Sequence, residues 1–114
     1  WGLTFKAGTD DLRMSPSLEV IGRLVKAGVL VHAYDPAVKE PIGSIPELEV
    51  VDSPYVAVKG AEVLVVLTEW DDFRWLDLDE VAEQMEGRHV VDARNILDSH
   101  ALKRRGFTYR GIGR

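Results

Sequence analysis

The chain has 114 residues, of which 46% are hydrophobic and 29% are charged, and its formal net charge is -5. This length and composition are typical of one globular domain, and the acidic balance argues against a nucleic-acid-binding domain, which needs a basic surface. The absence of cysteine excludes disulfides, zinc–thiolate sites and a cysteine nucleophile within these residues. No apolar run is long enough to span a membrane, so we expect a cytoplasmic protein.

The opening residues 1–5 form a short apolar run that suits the end of a strand, and we expect the chain to be a piece excised from a longer protein. A charged loop follows. Ser15 and Pro16 then predict the start of a helix, because serine is a good N-cap and proline is tolerated at the first helical position. Apolar residues recur at helical spacing from there, and Gly28 is expected to end the helix.

Residues 29–34 form a compact apolar segment that predicts a second strand, which ends at Asp35 and Pro36. In dinucleotide-binding folds an acidic residue at this point binds a ribose hydroxyl. Asp-Pro is also a common turn, so both interpretations stay open. The segment 39–48 contains two prolines and a glycine, and it predicts an irregular loop.

The rest of the chain continues the alternation of strand and helix. Further strands are predicted at 49–52, 63–67, 89–93 and 107–112, and further helices after Ser53, Asp77 and Asp98. The connections are too long for hairpins, which favours a parallel sheet. The unalternating apolar run 63–67 is typical of a strand covered on both faces. We therefore predict an α/β, Rossmann-like fold with a mostly parallel sheet of about five to six strands and helices on both faces.

Two cations directly follow predicted strands. Lys6 comes after the opening run and Arg94 after the fifth predicted strand, so both should lie at the carboxyl edge of the sheet, where open α/β folds bind ligands. Together, the planar fork of arginine and the point charge of lysine could bracket a phosphate or carboxylate. Each cation could equally pair with a local carboxylate, such as Asp92 or Asp11. Phe5 could stack on a ligand or belong to the strand core.

The charged loop contains Asp10, Asp11 and Arg13. Its carboxylates could bind a metal or act in acid–base catalysis, whereas the simpler interpretation is an internal network that fixes the loop. The three histidines lack ligand spacing, and we expect no metal site. The loop also lacks the G-x-G-x-x-G pattern, and the chain has no G-x-x-x-x-G-K-[ST], so a standard pyrophosphate-binding turn is not expected.

Four blocks of sequence resemble a known family in the family's own order. Residues 2–16, GLTFKAGTDDLRMSP, resemble the F-K-x-x-T-x-D-x-R-x-S segment that opens the C-terminal domain of the UDP-glucose/GDP-mannose dehydrogenase family. The other matching blocks are 33–36 (AYDP), 67–70 (LTEW) and 91–95 (VDARN). The resemblance covers essentially the whole chain. It implies that residues 1–114 are the UDP-sugar-binding C-terminal domain of a nucleotide-sugar dehydrogenase.

The resemblance also implies an activity and a domain organisation. The family oxidises the C6 hydroxyl of a nucleotide sugar by two hydride transfers to NAD, through a cysteine-bound intermediate. The full-length chain is expected to have an N-terminal NAD-binding domain, a helical middle region with the cysteine, and this domain, in a homo-oligomer. We expect a bacterial enzyme of the UDP-glucose to UDP-glucuronate type that supplies polysaccharide precursors. The domain alone is expected to have no catalytic residue and no activity, and the sugar and the base, UDP or GDP, stay open.

The resemblance implies roles for particular residues. Phe5, Lys6 and Arg94 are expected to bind the nucleotide sugar, and Arg13 is expected to reach the NAD held by the N-terminal domain. Four further matches are expected to hold the shape of the loop: Thr9, Asp10, Asp11 and Ser15.

Two alternatives from other functional classes stay open. A signalling receiver domain needs an acidic pair after its first strand, which Asp10 and Asp11 fit only loosely because they lie several residues beyond it. It also needs a lysine after the fifth strand, where this chain has Arg94. The other alternative is a stand-alone nucleotide-sensing module without an enzyme partner.

Overall fold

A computed structural model describes residues 1–112, which contain four α-helices, one 3-10 helix and five short strands. Their bounds in chain order are α1 (Pro16–Lys26), β1 (His32–Ala33), β2 (Glu49–Val50), α2 (Pro54–Val58), β3 (Val63–Val66), the 3-10 helix (Asp71–Trp75), α3 (Leu78–Gln84), β4 (His89–Asp92), α4 (Ser99–Arg104) and β5 (Thr108–Gly111). The four predicted helices are therefore confirmed, and the segment 39–48 contains neither helix nor strand. None of the helices in this range is both long and apolar enough to cross a membrane.

The helices begin where the sequence predicts, with one difference in bonding. The side chains of Ser53, Asp77 and Asp98 cap α2, α3 and α4 by accepting backbone N–H groups of the first turn. Ser15 occupies the N-cap position of α1 without making that bond. Its hydroxyl instead donates to the carbonyl oxygen of Leu3 at 2.8 Å. Ser15 thus ties the start of α1 to the opening segment.

All strand pairs are parallel, in two sheets: β1 pairs with β2, and the second sheet has the order β3-β4-β5. The parallel α/β architecture is confirmed. The strand count is smaller than the predicted single sheet of up to six strands, because the opening residues do not form a regular strand.

The opening segment nevertheless joins the two sheets by hydrogen bonds. The amino group of Trp1 donates to Val65 O at 2.7 Å, and the Leu67 N–H donates to Trp1 O at 2.8 Å. On the other side, the Gly2 N–H donates to Tyr34 O at 2.8 Å. The segment therefore takes the place of the first strand and lies between β1 and β3. If it is counted as strand 1 and β1 to β5 as strands 2 to 6, the spatial order is 3-2-1-4-5-6, that of a dinucleotide-binding sheet.

Gly2 is required where the opening segment meets β3. Its φ is +110°, and a Cβ built on it would lie 2.1 Å from Thr68 Oγ1 and 2.6 Å from the Thr68 backbone nitrogen. Because the second contact is to backbone, a side chain at this position would push the segment away from β3.

Two hydrophobic clusters lie on opposite faces at β3. Val66 packs in a cluster with α2, α3 and α4, while the next residue, Leu67, packs against a cluster that contains Ile21 of α1. Successive residues of a strand point to opposite faces, so helices cover both faces here. The coverage is not complete. Val63 is 45% exposed, so the prediction that the run 63–67 is covered on both faces is wrong at its first residue.

Candidate functional site

Asp35 follows β1 and is fully buried. Its Oδ2 accepts the backbone N–H groups of Leu3 at 2.8 Å and Thr4 at 3.1 Å, and the indole N–H of Trp70 at 3.2 Å. Its Oδ1 accepts the Ala37 N–H at 2.8 Å. Both oxygens are therefore used inside the protein. The turn interpretation of Asp35 is right, and the ribose-binding interpretation is wrong.

The backbone around Phe5 and Lys6 is fixed on both sides. Before them, Thr4 is buried, with its hydroxyl 3.1 Å from Asp35 Oδ2 and 3.2 Å from Lys6 O. The Phe5 N–H itself donates to Asp11 O at 2.7 Å. Phe5 is 44% exposed, so it is not part of the strand core. Lys6 is exposed, and among residues 1–112 its ammonium group makes no hydrogen bond or ion pair. The loop thus presents an aromatic ring and a free ammonium on an ordered backbone.

Further along the loop, Asp11 forms the centre of a local network. Its Oδ1 accepts the backbone N–H of Arg13 at 2.9 Å and the Arg13 Nε–H at 3.1 Å, and its Oδ2 accepts from Nη2 at 3.2 Å. These hydrogen bonds from Arg13 lower the pKa of Asp11, and the carboxylate raises the pKa of Arg13. The Asp11 N–H donates to Thr9 Oγ1 at 3.1 Å. Asp10 is exposed and makes no such contact with the described residues.

The network does not have the form of a metal site. Within residues 1–112 no three histidine, aspartate or glutamate side chains are grouped so that they could hold an ion. Arg13 is 89% exposed and points its charge at solvent beyond Asp11. The internal-network interpretation of this loop therefore fits the geometry better than metal binding.

A second buried aspartate organises the loop after β4. Asp92 is fully buried, and its Oδ1 accepts the Arg94 N–H at 3.1 Å. Its Oδ2 accepts the N–H groups of Ile96 and Leu97 and the hydroxyl of Tyr109, each at 2.8 Å. Asp92 thus binds the backbone of Arg94 and not its guanidinium, which leaves the side chain for other partners.

A left-handed residue directs each of the two loops. Asn95 has φ 57° and Met14 has φ 54°, and each follows an arginine. The Asn95 side chain binds both backbone groups of Ile112, at 2.8 and 2.9 Å. These bonds tie its loop to the residue that follows β5. Met14 is 92% exposed and has no comparable anchor among residues 1–112.

The Arg94 side chain lies across the carboxyl end of β3. Its Nε donates to Leu67 O at 3.0 Å and is 3.5 Å from Glu69 Oε2. Next to Glu69, the Trp70 indole reaches Asp35 and, at 3.3 Å, Thr4 Oγ1. The loop 67–70 therefore lies between the two cationic loops and contacts both.

Sequence reasoning singled out Asp35 but missed the network that supports this edge. Thr4, Asp35 and Trp70 form one buried network, and Glu69 contacts Arg94. The available signals were a threonine inside the apolar opening run and polar residues directly after predicted strands, on loops of the kind that carry functional residues.

Three loops meet at the carboxyl edge of a parallel sheet and present exposed Phe5, Lys6 and Arg94 on fixed backbones, and this is the edge at which open α/β domains bind their ligands. Residues 1–99 match the model of the UDP-glucose/GDP-mannose dehydrogenase family, UDP binding domain. The chain belongs to this family.

Alignments with related proteins cover essentially the whole chain. It is 43% identical over 121 aligned positions to UDP-glucose 6-dehydrogenase of Pseudomonas aeruginosa, and the match covers 100% of this chain and 27% of that protein. For UDP-glucose 6-dehydrogenase of Rhizobium meliloti the identity is 42%, covering 99% and 26%. The chain therefore spans about a quarter of the length of these relatives.

Solved structures confirm the fold. A dehydrogenase of NDP-N-acetyl-D-galactosaminuronic acid from Methanosarcina mazei superposes with a TM-score of 0.87 at 30% identity, over 99% of this chain and 23% of that one. A UDP-D-ManNAc dehydrogenase from Pyrococcus horikoshii gives a TM-score of 0.79 at 32% identity, over 99% and 24%. These similarities give no support to the receiver domain or to the stand-alone sensing module.

Proposed function

We propose that residues 1–114 are the UDP-sugar-binding C-terminal domain of an NAD-dependent UDP-sugar 6-dehydrogenase. One observation carries this proposal: Phe5, Lys6 and Arg94 are exposed side chains on backbones that the buried carboxylates of Asp35 and Asp92 hold in place. Ligand groups that meet such a site lose less free energy to ordering than they would at a mobile loop.

The three side chains have complementary roles in this proposal. The Arg94 guanidinium and the Lys6 ammonium bind the diphosphate, the first as a planar fork and the second as a point charge. Phe5 offers its ring as a stacking surface for the base or the sugar. Because the chain as a whole carries a net charge of -5, these local cations provide the attraction for an anionic ligand.

The chemical step belongs to other parts of a longer protein in this proposal. NAD supplies the hydride acceptor, and a cysteine supplies the covalent intermediate, whereas this chain has no cysteine. Arg13 fits a contact with a dinucleotide phosphate, since its side chain is exposed and positively charged, with Asp11 holding its Nε side. Thr9, Asp11 and Ser15 hold the loop through the contacts described above, while Asp10 adds charge only.

The cellular setting follows from the same family assignment. We place the full-length protein in the cytoplasm as a homo-oligomer that contains an NAD-binding and a middle domain. Its product would feed polysaccharide synthesis, as a UDP-sugar carboxylate of the UDP-glucuronate type.

Ligand titration tests the proposal. UDP, UDP-glucuronate and GDP-mannose are titrated against the chain and against Lys6→Ala and Arg94→Ala, with the exposed Lys103→Ala in α4 as the control. Each site substitution removes a hydrogen bond to a charged group, so UDP should bind about tenfold more weakly, while the control is unchanged. UDP affinity that survives both site substitutions would show that the site assignment is wrong.

Activity provides the second test. With UDP-glucose and NAD, this chain alone should produce no NADH, because it supplies no cysteine nucleophile. NADH formation by the purified chain would contradict the division of labour proposed here.

A further inference from the structure

The guanidinium of Arg94 is held along one edge only. Its Nε donates a hydrogen bond to Leu67 O at 3.0 Å, and Glu69 Oε2 lies 3.5 Å from the same nitrogen. No group in the described part of the chain binds the two Nη nitrogens, which have four of the five N–H donors of an arginine side chain. The Nη edge is therefore left for an external acceptor.

The Glu69 carboxylate behind this guanidinium is partly desolvated. Its Oε2 is buried and accepts no hydrogen bond from residues 1–112, so the nearby charge of Arg94 is what compensates it. The loop that carries Glu69 is held on both sides of this residue. The Leu67 N–H binds the opening segment at 2.8 Å, and the Trp70 indole binds Asp35 Oδ2 at 3.2 Å.

We propose that Glu69 is a positioning residue for Arg94. Its carboxylate and Leu67 O hold the Nε edge, so that both Nη groups face a ligand anion as a ready fork. The inference rests on the proposed function, in which Arg94 binds the diphosphate. An oriented fork loses less side-chain entropy on binding. If Glu69 acted only through its charge, it would weaken binding of the anionic ligand by repulsion. Removing that charge would then strengthen UDP binding, whereas the loss of a positioning residue would weaken it.

The experiment compares Glu69→Gln with Glu83→Gln, a matched change at an exposed position of α3. In NMR spectra of the nitrogen-15-labelled chain, the Arg94 Nε–Hε signal is assigned by its loss in Arg94→Lys. In Glu69→Gln this signal should shift and its proton should exchange faster with water, while the control leaves it unchanged. UDP should bind Glu69→Gln about two- to fivefold more weakly, the range that exposed ion pairs support.

A double-mutant cycle shows whether Glu69 acts through Arg94. In an Arg94→Ala background, Glu69→Gln should have no further effect on UDP affinity. An unchanged Hε signal, tighter UDP binding, or a loss of affinity that persists without Arg94 would each overturn the proposal. If the unsubstituted chain does not bind UDP, the proposed function fails, but the Hε signal of the free protein still decides whether Glu69 positions Arg94.

Discussion

In each of the two loops that present the cations, a buried aspartate accepts backbone N–H groups, but the sequence separation between the aspartate and its partners differs. In the opening loop, the buried carboxylate of Asp35 accepts the N–H groups of Leu3 and Thr4. In the loop after β4, the buried carboxylate of Asp92 accepts those of Ile96 and Leu97. These partners of Asp92 lie four and five positions after it in the sequence, whereas those of Asp35 lie 31 and 32 positions before it.

This difference in reach has consequences for how each loop is ordered. The backbone partners of Asp92 are local, and its more distant contact is the hydroxyl of Tyr109 on the neighbouring strand, 17 positions away. The opening loop is fixed only once β1, the opening segment and the loop 67–70 have come together, since Asp35 also binds the Trp70 indole. Beyond Phe5, the opening loop is held by the exposed pair of Asp11 and Arg13, which salt screens. Order in this loop therefore decreases from its buried start to its exposed tip.

Removing the buried carboxylates should have the largest effect. Asp35→Ala leaves several buried donors without an acceptor, and at 1–3 kcal/mol for each such group we expect a loss of about 3–5 kcal/mol in the free energy of unfolding. Asp92→Ala should cost about 2–4 kcal/mol, because the Asn95 bonds to Ile112 still hold its loop. Urea unfolding measures both values.

Hydrogen exchange in the milder Asp35→Asn and Asp92→Asn variants distinguishes the two forms of support. In Asp35→Asn, amide protection should fall in three separate segments, around Thr4, Ala37 and Trp70. In Asp92→Asn the loss should be confined to residues 94–97 and their contact at Ile112. Identical patterns of lost protection would show that the two loops are not ordered independently.

The two left-handed residues should respond in opposite directions. Asn95→Ala loses two hydrogen bonds to Ile112 and a residue type that tolerates its φ of 57°, so we expect a loss of about 1–2 kcal/mol. Met14→Gly relieves the strain of a φ of 54° at a side chain without an anchor, so we expect a gain of about 0.5 kcal/mol. Thermal unfolding checks both, and a shared direction would mean that backbone conformation does not govern the difference.

Much of the fold follows from local sequence, because helix starts and strands depend on neighbouring residues. The caps at Ser53, Asp77 and Asp98 are of this kind. The role of Asp35 was not decidable in this way, since a ribose ligand and an internal turn require the same residue at the same strand end. The choice depends on Trp70, 35 positions away.

In the candidate site, too, some features follow from local sequence and others depend on contacts between distant residues. The residue types and their place after strands predict an edge with Phe5, Lys6 and Arg94, and the structure places all three on strand-end loops. The contact between Arg94 and Glu69 spans two loops, and no spacing in the sequence encodes it. The exposure of Val63 likewise depends on how far the helices extend over β3, which an apolar run alone does not specify.

The smallest effect is expected at the exposed tip of the opening loop, where the comparison can be sharpened by pH and salt. Arg13 lowers the pKa of Asp11 below its ordinary value of 3.8. A carboxyl group with a lower pKa in the folded state stabilises that state above its unfolded pKa, and the contribution is lost as the pH falls through the folded value. The difference in Tm between the chain and Asp11→Asn should therefore be constant from pH 7 down to about 5. It should begin to shrink near the ordinary pKa and disappear only below the lowered pKa of the folded state.

The control for this prediction is Asp10→Asn, at an exposed carboxylate that contacts no group within residues 1–112. At pH 7 this substitution should leave the Tm unchanged, because it removes no contact. Because the Asp11 pair is exposed, its contribution should shrink at 1 M salt, where the Debye length falls to about 3 Å, whereas the destabilisation by Asp92→Asn should not. Equal behaviour of Asp10→Asn and Asp11→Asn would contradict an ordering role for the pair, and the tip of the loop would then be held by its backbone bonds alone.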